Sequence, residues 1–83
     1  MAFRPAALHF HRGTWVIHFV NQGSLFHDLT IEPANRSKVL DATGAQPGQS
    51  SDLSVTLGPG HYVMICLEPG HAPAGMVGAI DVT

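Results

Sequence analysis

The stretch Tyr62-Val-Met-Ile-Cys66-Leu-Glu-Pro-Gly-His71-Ala-Pro-Ala-Gly-Met76-Val-Gly-Ala-Ile-Asp-Val82 has three parts. An apolar run of four ends at the chain's only cysteine, a loop of small residues and prolines follows, and a second run starts at Val77. Short apolar runs bounded by Gly and Pro read as strands rather than helices. The fragment is therefore two strands joined by a loop. That loop carries a thiol, an imidazole and a thioether at equal five-residue steps, Cys66, His71 and Met76.

The same texture extends outward over the whole chain. Alternating or continuous apolar runs at 7–11, 14–21, 28–32, 53–57, 62–66 and 77–82 are separated by Arg12-Gly13, Gln22-Gly23, Gly58-Pro-Gly60 and Pro69-Gly70. Residues 42–51, rich in Gly, Ser, Gln and Ala, read as a solvated loop, and 34–40 as a turn or two of helix. Several short strands at such spacing predict an all-β fold, a sandwich or barrel. Two strands are apolar on both faces: Trp15, Ile17 and Phe19 alternate with Val16 and Val20, and Tyr62, Met64 and Cys66 with Val63 and Ile65. One buried face suffices in a two-layer sandwich. The second apolar face predicts cover from elsewhere, such as another subunit.

At 83 residues the chain forms one domain, residues 1–83, with no linker or repeat. A domain this small buries only roughly 60% of its unfolded surface, so a staple is expected. One cysteine makes no internal disulfide, leaving a metal or a partner subunit. Charged residues make up 12% and the net charge is −2. Arg4, Arg12, Arg36 and Lys38 are scattered, which excludes a nucleic-acid footprint. No apolar run approaches the ~18 residues of a membrane span, and no secretory leader is visible, as in a cytoplasmic protein or a mature form.

Cys66, His71 and Met76 are three of the four donors that a one-electron copper site uses: a thiolate and two imidazoles, with a weak axial thioether. Gly70 and Gly75 permit tight bends beside two of the donors, and Pro69 and Pro73 restrict the loop. The second imidazole must come from elsewhere. His9 and His11 alternate with Leu8 and Phe10 as outward strand residues, and His18 sits mid-strand. His61 starts the strand that Cys66 ends, at about 3.4 Å per residue too far away. His27 follows the turn 21–26 and opens a new strand, at a strand junction like that of Cys66. It is the expected partner.

The segments Phe3-x-Pro5, Phe19-x-Asn21-x-Gly23-x-x-x-His27, Pro59-Gly60-x-Tyr62 and Cys66-x-x-Pro-Gly-His71-x-x-x-Gly-Met76-x-Gly78 resemble the cupredoxins, the blue copper proteins. The Cys-x4-His-x4-Met spacing is similar to rusticyanin- and sulfocyanin-type loops, and Ala74-Gly-Met-Val-Gly78 to plastocyanin. The resemblance implies a Greek-key β-sandwich, here a short variant of about seven or fewer strands without the family's first strand. It implies one copper ion, with His27, Cys66 and His71 as equatorial ligands and Met76 as the axial one. It also implies a non-enzymatic one-electron carrier that meets redox proteins transiently, in the periplasm or outside the cell. Asp28 matches a position that braces the two ligand loops, with Asn21 supporting the turn before it. Leu67, after the cysteine, lacks the hydroxyl such a brace often uses. Leu25, Phe26, Pro69, Gly70, Ala72 and Pro73 would form an apolar docking patch around His71. Absence of the leading strand would uncover sheet surface and favour a homodimer or higher oligomer.

Other chemistry fits less well. A Cys66 nucleophile with His71 as base and Asp28 orienting it gives Met76 no role. A copper oxidase needs further histidine-bound copper, and a dinuclear centre a second cysteine. Copper storage or delivery is the remaining alternative, although delivery favours open, exchangeable ligands.

Overall fold

A computed structural model describes residues 2–83. Among them are seven strands and no helix: β1 (Ala7–Phe10), β2 (Gly13–Val20), β3 (His27–Pro33), β4 (Asp41–Ala45), β5 (Ser50–Leu57), β6 (Gly60–Ile65) and β7 (Val77–Val82). Five of them form one sheet in the order β1-β7-β6-β3-β4, and β2 pairs with β5 in a second. All pairings are antiparallel except β1 with β7. The fold is the expected all-β sandwich.

Alternation decides which side of each strand faces in. Leu53, Val55 and Leu57 of β5 are buried while Ser54 and Thr56 between them are exposed, and Ile80 and Val82 of β7 are buried while Asp81 is exposed. These residues join Phe3, Leu29, Ile31, Met64, Cys66 and Met76 in one core, with Ile17 and Phe19 of β2 packed against it. The cysteine and the methionine of the 66–76 loop are thus part of the core wall. A cavity of about 670 Å³ runs from Phe3, Leu8, Ile17 and Phe19 to His27 and Met76.

The two strands with a second apolar face behave differently. On β6, Ile65 is buried although it lies outside the main core, and Val63 is half-buried. On β2, Val16 is 66% exposed and Val20 is exposed as well.

Two sequence expectations are corrected. Residues 42–51 are not one solvated loop: Asp41–Ala45 is a strand paired with β3, Ser50 and Ser51 open β5, and only a tight turn separates them. In that turn Gln49 N–H donates to Gln46 O, and Gly48 has φ 78°. Asp-Ala-Thr-Gly-Ala has no branched apolar residue to mark it. The Phe26 ring lies so close that a Cβ on Gly44 would sit 2.5 Å from its Cζ. Glycine in a strand where another group approaches closely is a known pattern. Residues 34–40 form no helix. Arg36 N–H donates to Pro33 O while Arg36 takes φ 56°, and Leu40 N–H returns to Ile31 O. A left-handed residue ends any helical run.

Candidate metal centre

Three strand ends meet at one pole of the sandwich. His27 is the first residue of β3, Cys66 follows the last residue of β6, and Met76 precedes the first of β7. Because β6 lies between β3 and β7, the polypeptide geometry alone gathers the 66–76 loop and His27.

The loop is held by its own backbone. His71 N–H donates to Glu68 O, Ala74 N–H and Met76 N–H both donate to His71 O, and Cys66 N–H donates to Met76 O at 3.0 Å. That last bond closes the loop at its neck. Gly70 at φ 82° and Gly75 at φ 119° supply the left-handed turns this winding requires, which side chains rarely tolerate.

Inside it, the two imidazoles face each other with His27 Nδ1 and His71 Nδ1 3.0 Å apart, and Cys66 Sγ is 3.4 Å from His71 Nδ1. The donor atoms of His27, Cys66 and His71 all lie within 4.8 Å of one another. Metal–nitrogen and metal–sulfur bonds of about 2.0–2.3 Å put donors roughly 3.3–3.7 Å apart. The two imidazoles, 3.0 Å apart, need only a small spreading toward that range to admit one ion. Cys66 is 0%, His27 8% and His71 9% exposed. His71 is the trio's outermost member.

Burial pushes the Cys66 thiol above its ordinary range, against hydrogen bonds from the Asp28 and Glu68 backbone that pull it back. Burial, and then the neighbouring His71, push His27 below its ordinary value. Near neutral pH the chain therefore offers a neutral His27 imidazole. Its thiol is held protonated until a cation stabilises the thiolate.

Asp28 ties the two ligand segments together. Its backbone N–H points at Cys66 Sγ, 3.5 Å away. Its carboxylate accepts the Leu67 N–H with both oxygens at 3.1 Å and the Thr30 hydroxyl at 2.8 Å. The missing hydroxyl at position 67 is immaterial, since the backbone of that residue serves. Asn21 sits one layer back, nearly fully buried. Its amide nitrogen donates to Leu25 O and Ala45 O at 2.8 Å each, and its oxygen accepts the Gly23 N–H at 2.9 Å. It pins the 21–26 turn to the end of β4. The turn must pass close: a Cβ on Gly23 would lie 3.0 Å from His27 Nε2.

Met76 is buried and lines the same cavity as His27. Leu25, Phe26, Pro69, Gly70 and Pro73 are exposed around the pole, and Ala72 is half-exposed. Leu67, 50% exposed, is an apolar neighbour of Cys66 that the sequence reading weighed only as a brace and left out of the docking patch. The apolar side chain after the cysteine was the available signal. His9, His11, His18 and His61 are exposed and none joins the group formed by His27, Cys66 and His71, although His18 lines the same cavity as His27.

The sequence matches, over residues 1–83, the family described as copper binding proteins, plastocyanin/azurin family. Among solved structures, auracyanin B aligns with TM-score 0.87 and 25% identity over 99% of this chain and 80% of that one. Dithionite-reduced auracyanin from the photosynthetic bacterium Roseiflexus castenholzii gives TM-score 0.87 and 25% identity over 99% and 87%. Reduced rusticyanin gives 0.80 and 25% over 93% of this chain and 62% of its own. Among curated protein sequences none matches the chain.

Proposed function

The chain belongs to the plastocyanin/azurin family of copper-binding proteins, and on that premise we propose that it is a one-electron carrier holding a single type 1 copper ion. The observation that carries this reading is the convergence of His27 Nδ1, His71 Nδ1 and Cys66 Sγ within a buried, hydrogen-bonded cage. A copper ion bound there supplies a one-electron couple. The protein's part is to hold the donors so that neither oxidation state requires much rearrangement: Cys66 would give the thiolate, His27 and His71 the two imidazoles, and Met76 a weak thioether. Asp28 and Asn21 keep the two ligand segments in place. Burial of Cys66 and His27 excludes water, and His71 at the boundary gives the electron its exit.

Two of the structural neighbours are described in reduced form, which supports redox use. The apolar rim of Leu25, Phe26, Pro69, Gly70, Ala72 and Pro73, with Leu67, suits brief contact with a redox protein, because desolvation there costs no buried charge. Family membership favours a periplasmic or extracellular home. Among the described residues no helix is long and apolar enough to cross a membrane. The exposed β2 edge with Val16 and Val20 favours self-association. Storage or delivery fits less well, because the ligands are enclosed rather than open to exchange. Among the described residues no second group of donors is preassembled as His27, Cys66 and His71 are, and the other base beside Cys66, the Asp28 carboxylate 3.6 Å from Sγ, is already engaged by the Leu67 N–H and the Thr30 hydroxyl.

Addition of copper to the purified protein tests the reading. An intense thiolate-to-copper band with narrow copper hyperfine splitting in the paramagnetic resonance spectrum is expected, and Cys66→Ser abolishes the band. A colourless complex, or colour that survives Cys66→Ser, would sink it. Reversible one-electron voltammetry separates the carrier from a store.

A further inference from the structure

Three of the chain's six histidines gather away from the copper pole, and the strand register puts them there. β1 runs parallel to β7 with His9 opposite Asp81. β6 runs antiparallel to β7 on its other side with His61 opposite the same Asp81. Directly paired residues share a face, so His9, Asp81 and His61 form a row across three adjacent strands. Their neighbours Ile80 and Val82 are buried in the core, which places the row on the outside of the sheet. His11 follows the last residue of β1, and its ring lies 6.2 Å from that of His9. All four side chains are exposed. Along β6, His61 is five residues from Cys66, roughly 16 Å at strand rise.

The row is already partly assembled. His61 Nδ1 lies 2.5 Å from Asp81 Oδ1, and His9 Nε2 lies 3.3 Å from the Thr83 hydroxyl. The backbone beneath is fixed: Thr83 N–H donates to Phe10 O, Arg12 N–H to Thr83 O, and the Trp15 indole N–H to His11 O at 2.7 Å. The Trp15 ring also stacks on Phe10, with centroids 5.3 Å apart. The ring nitrogens do not yet meet at one point. His9 and His61 stand on the two strands that flank β7, each about 4.8 Å from Asp81's strand and so roughly 10 Å from each other, a span that two imidazoles leaning inward over Asp81 can bridge to one ion.

We propose that His9, Asp81 and His61, with His11 as a fourth donor, form a second metal site, for a divalent first-row cation. Two or three imidazoles with a carboxylate suit Cu2+ best and Ni2+ or Zn2+ next. The site has no thiolate, so an ion there carries none of the charge-transfer colour expected of the Cys66 centre. It is open to solvent, so the ion exchanges.

The test adds Cu2+ to the copper-loaded protein and follows paramagnetic resonance and the fluorescence of Trp15, the chain's one tryptophan. Expected are one further ion per chain with a tetragonal signal, quenching of Trp15, and an unchanged blue band. His9→Ala and His61→Ala should each weaken uptake of that ion at least about tenfold, with the blue band intact as proof of folding. His18→Ala, which removes the separate His18–Asp52 pair, should change nothing. Absence of a second ion, uptake indifferent to His9 and His61, or uptake lost with His18→Ala overturns the proposal.

Discussion

The Asp28 carboxylate receives the Leu67 backbone N–H with both oxygens, 3.1 Å from each. That contact fastens the start of β3, which carries His27, to the residue after Cys66. An ionised acceptor makes this bond worth about 1.5–3 kcal/mol; exposure of Leu67 to solvent argues for the lower end.

Asp28→Ala should therefore destabilise the metal-free protein by about 1–2 kcal/mol in urea unfolding. It should also broaden the copper resonance spectrum as the two ligand segments drift. Asp28→Asn keeps one acceptor oxygen and should recover part of both effects. Identical unfolding midpoints and spectra for Asp28→Ala and the parent would remove Asp28 from the architecture of the site.

Asn21 acts through backbone rather than ligands. Truncation to Ala strands the buried Ala45 carbonyl and the part-buried Leu25 carbonyl that its amide satisfies. Buried groups left unpaired cost about 1–3 kcal/mol each, so a loss of about 2–4 kcal/mol is expected. Asn21→Asp offers no N–H to those carbonyls and should be as damaging or worse. If Asn21→Ala unfolded within 0.5 kcal/mol of the parent, roughly the scatter of a neutral surface change, the pinning role would be wrong.

Much of this site can be read from the residues alone, because its information is local. Cys66, His71 and Met76 lie on one loop, and His27 announces itself by standing after a turn at a strand start. The brace was half legible: Asp28 was visible, but its partner is a backbone N–H, which every residue except proline offers and no side chain betrays. β4 was not legible at all. Its small residues satisfy the ladder of β3, and strand propensity depends on what neighbours supply. Arg36 likewise hides its left-handed turn, since nothing in its side chain demands one. Ile65 shows the converse: an apolar residue on the strand's second face that the chain itself buries.

Acid and base should weaken the metal-free protein by different groups. His27 is held below its ordinary 6.5, so below pH 6.5 the unfolded chain takes up a proton that the folded one declines. Stability falls from there down through the lower folded value. Cys66 is held above its ordinary 9.0, so above pH 9.0 the unfolded chain loses its proton first. Stability falls again up to the raised folded value. Urea midpoints at pH 5, 7.5 and 10 should peak at 7.5. Cys66→Ala should flatten the basic limb alone; an unchanged basic limb would place that titration elsewhere.

Met76→Leu replaces a thioether by a hydrocarbon of similar volume. The site should keep its colour, since the thiolate and both imidazoles remain, while the reduction potential rises because the more highly charged oxidised ion loses more than the reduced one when a donor is removed and the site becomes more apolar. The cost to stability should stay below about 1.5 kcal/mol for a volume-conserving swap. A potential equal to the parent's would place Met76 in the core only, where its burial alone already gives it a purpose.

Leu67 gives the most direct handle on the proposed docking rim. It is 50% exposed, as is Leu25, and its side chain is free because only its backbone serves Asp28. Leu67→Glu should leave the copper spectrum nearly unchanged. Electron self-exchange between oxidised and reduced copies, measured from resonance line broadening, brings two such rims together without any foreign partner. Like charges close together at the contact cost on the order of 1–2 kcal/mol, which slows exchange about tenfold, with partial recovery at high salt. Leu67→Ala, which removes apolar area without adding charge, should slow it less. Self-exchange unaffected by Leu67→Glu at low salt would move the electron's exit away from this pole.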